Sequence, residues 1–340
     1  MTNGTFLRLA RRRFWLLVSP LILAMLMVVL VIGCGRQEKV PGYRIGLGPW
    51  VGFGPLYLAK DKGFFREAGV EVDLIVLTGL AERSSALRSG KLDALAAPVD
   101  YFVLTAGNGL PTTIVMAIDE SVGGDGIVAK ESIKEFADLR GKRVAFQRGL
   151  PSEFFFRALL QEHQINIDEI KFVDMETAQA GAAFLAGNLD AAVVWEPWLT
   201  KAREEGYGHI LASTRDYRDL IVDCLAFNQE VVRQKPGEVQ KIVNAIFKAI
   251  HFAGDHPKEA IAIMAPYFQV DPAKYEKILQ GVNFTGLKRN REYFGTPGKP
   301  GPIIQVASRA SQVWVAAKVI TKPVNPENII TTDFVSAGGR

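Results

Sequence analysis

Two stretches, "ALRSGKLDA" at residues 86–94 and "AFLAGNLDA" at residues 183–191, align without a gap. Ala86, Gly90, Leu92, Asp93 and Ala94 fall on Ala183, Gly187, Leu189, Asp190 and Ala191. In each copy the glycine reads as a helix stop, the leucine enters a core, and the aspartate opens a strand. Helix, turn and strand in that order form one link of a β-α-β chain. Reading outward from the first copy, the apolar runs "YRIGLG", "VEVDLIVL" and "LDALAAPV" alternate with the helical patterns "PLYLAKDKGFFREAG" and "AERSSALRSG". Two further strands, "TTIVMAID" and "GIVAK", come next. Then the rhythm restarts as "KRVAFQ", "PSEFFFRALLQEH", "EIKFVDM", "AQAGAAFLAGN" and "LDAAVVWEP". Such series imply sheets with parallel strands and helical crossovers.

The expected fold class is therefore α/β with two lobes, each a mostly parallel sheet flanked by helices, with a ligand cleft between them. After "RDLIVDCLAFNQEVV" the alternation gives way to helical patterns at 238–253, 258–268, 273–280 and 303–320. Helices without new strands must pack on an existing sheet, so the chain is expected to return to the first lobe. The expected division is 43–122 with 223–340 as lobe 1 and 123–222 as lobe 2, joined by two crossings near Ser121–Gly124 and Leu220–Asp223.

The 340 residues exceed what one core ordinarily holds, which agrees with two lobes. Residues 1–33 differ from the rest: Arg8, Arg11, Arg12 and Arg13 precede an apolar run from Phe14 to Ile32, without Asp, Glu or Lys. This pattern is an export signal. "VIGC" ending at Cys34 resembles a bacterial lipobox, whose cysteine is lipidated, although Ile32 replaces the small residue usual there. Residues 34–42 then form the lipidated cysteine and a tether. "RRRFW" resembles a twin-arginine signal, and the alternative of an uncleaved anchor stays open. The formal charge of +4 is that of the signal's four arginines, and removing them leaves a neutral chain. Nucleic acid is thus not an expected partner. His163, His209, His251 and His256 lack ligand spacing with one another or with Cys224, so neither a metal nor a cofactor is expected.

"GPWVGFGPLYLAKDKGFF" at 48–65, "SGKLDALAAP" at 89–98, "DGIVAKESIKEFADLRGKRVAFQRGLPSEFFFRALL" at 125–160 and "GNLDAAVVWEPW" at 187–198 together resemble the substrate-binding proteins of bacterial ABC importers. The branch is that of taurine, alkanesulfonate, nitrate and pyrimidine-precursor binders, and the likeness runs from about Tyr43 to Val335. It implies a two-lobe periplasmic-binding-protein fold of type II and a monomeric, non-catalytic receptor. The receptor would be exported, anchored through Cys34, and would hand a small-molecule solute to the transmembrane subunits of a permease. A pyrimidine-synthase-like enzyme, marked by cysteines that this chain lacks, and a receptor feeding a membrane sensor are the alternatives.

In open α/β sheets ligands sit beyond the carboxyl ends of the strands. Trp50, Phe53 and Gly54 follow the first strand, Thr78 the second, and Asp100 and Tyr101 the third. Asp119 and Ser121 precede the crossover, Arg148 and Ser152 begin the matching loop of lobe 2, and Glu176, Trp195 and Glu196 close the wall. Helix N-terminal amides and Ser152 suit an oxyanion, while the acids with their aromatics suit an amine. A small organic solute, sulfonate-like or zwitterionic, is the expected ligand, with a planar heterocycle such as a pyrimidine precursor or a flavin as the second choice.

Overall fold

The computed structural model describes residues 42–204, 207–296 and 298–337. The signal segment, Cys34 and its tether lie outside them. Apart from a short hairpin of Gly295–Thr296 with Lys299–Pro300, the strands are β1 (Gly42–Leu47), β2 (Glu71–Val76), β3 (Ala94–Pro98), β4 (Thr112–Ser121), β5 (Asp125–Ala129), β6 (Arg143–Phe146), β7 (Lys171–Asp174), β8 (Ala191–Trp195), β9 (His209–Ser213), β10 (Val222–Asn228) and β11 (Val282–Phe284). Among the described residues they form a six-stranded sheet of order β11-β4-β10-β3-β1-β2 and a five-stranded sheet of order β7-β6-β8-β5-β9.

The chain leaves the first sheet after Ser121, enters the second at Asp125, and returns to the first at Val222. These are the two crossings. They are bonded to each other, since the Thr214 and Ser121 hydroxyls lie 2.8 Å apart and Gly123 N donates to Thr214 Oγ1 at 2.8 Å.

The sheets are mixed, a correction to the mostly parallel expectation. β1 pairs in parallel with β2 and β3, and β6 with β7 and β8, each through a helical crossover. The strands that carry the chain between sheets run the other way: β10 is antiparallel to β3 and β4, and β5 to β8 and β9. A strand arriving from the other sheet enters at the end where its parallel neighbours finish. Its first residues therefore lie beside their last ones.

The repeated motif folds identically in both halves. Gly90 (φ 68°) and Gly187 (φ 76°) take the left-handed conformation that ends their helices. Asp93 Oδ2 accepts from Arg44 N at 2.8 Å, and Asp190 Oδ2 accepts from Arg143 N at 2.9 Å. Each aspartate pins the opening of the neighbouring strand, as its strand-entry position implied.

The helix Ile303–Ala316 corrects a second expectation. It packs on Val99–Gly107 from the first sheet and on Pro151–Glu162 from the second, so it bridges both layers and does not cover lobe 1 alone. The buried Trp314 lies 6.0 Å from the Phe154 ring and donates from Nε1 to Asp100 O at 2.9 Å. Arg309 pairs with Glu162 at 3.1 Å.

Candidate functional site

Where the parallel strands of both sheets end and the antiparallel ones begin, a cavity of about 360 Å³ opens between the sheets. Loops and strand ends of both sheets contribute: Trp50 after β1, Thr78 after β2, Pro98 and Asp223 at the meeting of β3 and β10, Asp125 on β5, Gln147 after β6, Glu176 and Thr177 after β7, Trp195 at the end of β8, and Glu196 to Trp198 after it. Tyr267 to Val270, from the C-terminal helical region, complete the wall. The Tyr275 hydroxyl ties that region to the first loop by donating to Val51 O at 2.8 Å.

Of the residues expected from sequence, the cavity is lined by Trp50, Phe53, Thr78, Glu176, Trp195 and Glu196. The others take different places. Asp119 is buried behind the wall, accepting from Trp50 Nε1 at 3.1 and 3.3 Å, and Ser121 faces Thr214 at the crossing. Gly54 packs against Tyr275 and Met264, with which a Cβ there would collide, so it serves packing and not a ligand. Tyr101 is fully buried against Ser84, and Asp100 beside it is 1% exposed. Arg148 is exposed, paired with Asp174 at 3.4 Å and lying 4.7 Å over Phe172. Ser152 Oγ lies 3.3 Å from Gln147 N and holds its own loop.

Trp50 and Phe53 look exposed in the sequence because glycines surround them, yet they are 7% and 2% exposed. The glycines instead allow close approach. A Cβ on Gly52 would collide with Trp50 Nε1 and the Asp119 carboxylate.

Arg83, Asp125 and Asp223 line the cavity without having been marked as ligand residues from the sequence. For Asp223 a signal existed, a carboxylate inside the apolar run "LIVDCLAF". Asp125 follows two glycines at a crossing, and Arg83 sits in a helix whose pattern gives its charge no special place. Arg83 is 6% exposed, donates to Thr78 O at 3.2 Å, and lies 5.3 Å over the Tyr101 ring.

The site is strongly acidic. Burial pushes Asp100 up to about 8 and the neighbouring Asp125 charge adds to the rise, while its own backbone and that of Tyr101 oppose it. Burial likewise takes Asp119 to about 8, against the Trp50 N–H, with Asp125 and Glu120 raising it further. Asp125 rises to about 7 through burial and the Glu196 charge, with the Ser121 hydroxyl pulling the other way. Asp223 is pushed well above the carboxylate range by burial and then by Asp119, Asp125 and Asp100, which Arg83 offsets in part. Glu196 is raised by burial despite accepting from Thr200 N and Oγ1 at 3.1 and 2.8 Å.

The NMT1/THI5-like family model matches residues 50–260. A protein of Brucella abortus (strain 2308), provisionally named a binding protein, is 24% identical over 284 residues, covering 82% of this chain and 86% of that one. The alkanesulfonate-binding protein SsuA from Xanthomonas axonopodis pv. citri, bound to MOPS, superposes with a TM-score of 0.72 at 19% identity, covering 87% of this chain and 100% of that one. The desulfurization enzyme DszB shares the fold at a TM-score of 0.61 and 17% identity, over 87% of this chain and 98% of that one. The fold is that of the periplasmic binding proteins.

Proposed function

Since the chain belongs to the NMT1/THI5-like family, we propose that it is the solute receptor of an ABC importer, capturing a small organic molecule between two lobes and delivering it to a membrane permease. The lobes are 43–122 with 223–340, and 123–222. The observation that carries this reading is the cavity itself, whose wall is shared by loops of two sheets that two crossings connect. A ligand touching both lobes binds the closed arrangement more tightly than the open one and so shifts the population toward closure. The described wall contains carboxyls, one guanidinium, amides, hydroxyls and aromatic rings, with no histidine, cysteine or lysine.

A thermal-shift panel of organic cations, sulfonates, pyrimidines and flavins tests the receptor reading. At 100 times its dissociation constant a bound solute adds about 2.7 kcal/mol of stability. With that solute at saturation, small-angle scattering is expected to show a smaller radius of gyration. An unchanged radius in the presence of a saturating ligand counts against lobe closure.

The receptor's place is at the outer face of the membrane, held by lipid on Cys34. Cys34→Ser is expected to release the protein from the membrane fraction or leave it unprocessed, with solute binding unaltered. Mass spectrometry finding an unmodified Cys34 in the mature protein would remove the anchor from the reading.

A further inference from the structure

We infer that the solute carries a planar, protonated nitrogen group, an amidinium-like or aromatic-ammonium cation, held at the Asp125 carboxyl. The inference rests on the receptor reading and names its ligand class.

Ionisable groups on the wall are unequal in sign: Asp125, Glu176, Glu196 and Asp223 against Arg83. Asp100 and Asp119 stand behind them, both buried. Arg83 already lies over Tyr101, bonds Thr78 O, and has the Asp223 charge beside it. Glu196 is occupied by Thr200. Asp125 is left over. It is 5% exposed, faces the cavity, and its Oδ2 has no hydrogen-bond partner among the described residues. A buried carboxylate oxygen without a donor is costly, and a ligand N–H supplies the donor.

The surroundings of Asp125 indicate the shape of that ligand. Asp125 stands opposite Trp195 in the β5–β8 register, and Glu196 N donates to Gly124 O at 2.9 Å next to it. Trp50 and Trp195 line the same cavity, so a flat cation reaching the carboxylate meets aromatic rings that favour positive charge, while the Trp198 ring is already covered by Lys201 Nζ at 4.2 Å. Among the described residues no group of three or more metal-ligating side chains is placed to hold a metal ion, which favours an organic cation as the occupant.

Donors are present as well, Arg83 Nε and Thr177 Oγ1 being buried wall atoms without a partner among the described residues, but a single guanidinium is the wall's one cationic side chain. An acid lies at each of the helix starts Pro151 and Thr177 on the wall. Glu176 stands at the N-cap position of the helix Thr177–Leu185 without a side-chain cap bond, and Glu153 in the first turn of Pro151–Glu162 accepts from Gly149 N at 2.7 Å. A sulfonate in this cavity would lie among four carboxyls with one guanidinium to offset them.

The probes are benzamidine, a planar cation at neutral pH, and its near-isosteres benzamide and benzenesulfonate, titrated calorimetrically at pH 7.5 into the parent and into Asp125→Asn and Trp195→Ala. Benzamidine is expected to bind the parent, and benzamide and benzenesulfonate at least 10-fold more weakly. Asp125→Asn should lose 10-fold or more in benzamidine affinity while melting no lower than the parent. Tighter binding of benzenesulfonate, equal binding of benzamidine by Asp125→Asn, or binding of neither charged probe overturns the cation assignment. The first outcome, if scattering still shows compaction with benzenesulfonate and Trp195→Ala weakens it, leaves the receptor reading intact. Absence of compaction with every solute in the thermal-shift panel removes both.

Discussion

Trp50→Ala is expected to cost the ligand-free protein about 3 to 5 kcal/mol, the range for truncating a large buried aromatic, and to abolish solute binding as well. The indole is 7% exposed, belongs to the main core and also lines the cavity. Its Nε1 is the donor on Asp119, which the variant strands in a dry site. Trp195→Ala is the contrast. That ring is half-buried at the end of β8, so its loss should weaken binding by roughly 1 to 3 kcal/mol while the unfolding free energy stays nearly level. Denaturant titration of both variants, with and without a saturating solute, separates the two outcomes. Equal stability of Trp50→Ala and the parent would return Trp50 to the role of a surface wall.

The second large effect is on pH dependence. Asp100, Asp119 and Asp125 hold their protons to about 8, 8 and 7 in the fold, against 3.8 for the free side chain, and burial is the first cause in each. Between pH 4 and those values the folded chain therefore binds more protons than the unfolded one. Stability falls as pH rises, by up to about 1.4 kcal/mol per pH unit for each group that titrates independently. Mutual repulsion within the cluster divides this among its members. The ligand-free protein is accordingly expected to be most stable near pH 5 and to lose several kcal/mol by pH 8. Asp100→Asn, which cannot ionise, should match the parent near pH 4 and exceed it at pH 8. Urea denaturation at unit steps of pH measures the slope, and a flat or rising profile from pH 5 to 8 contradicts buried, protonated carboxyls.

Much of the architecture follows from local chemistry that a sequence displays. Gly90 and Gly187 stop helices because a left-handed residue is needed there, and Asp93 and Asp190 bond the strand beside them. The loop at 48–54 reads as site material from its place after the first strand and from the aromatics set among its glycines. Strand direction does not show in periodicity, because a buried strand looks the same from either end; hence β10, inserted between β3 and β4 after a whole lobe, was not visible as antiparallel. Burial of charge is equally hidden. Arg83 and Asp125 are polar letters in polar surroundings, and only the closing of helix, crossing and sheet around them removes the water. Arg148 is the reverse case: it stands in the right loop, but Asp174 and Phe172 draw it aside.

The paired bonds from Asp93 to Arg44 N and from Asp190 to Arg143 N are one joint built twice. The aspartate and glycine of this joint are the same in both halves, while the loops at the cavity are "GPWVGFG" on one side and "QRGLPSE" on the other. The molecule thus carries its own control experiment. What its halves share records the demands of making a lobe, and what distinguishes them records the demands of holding a guest asymmetrically, by two hands that are not mirror images.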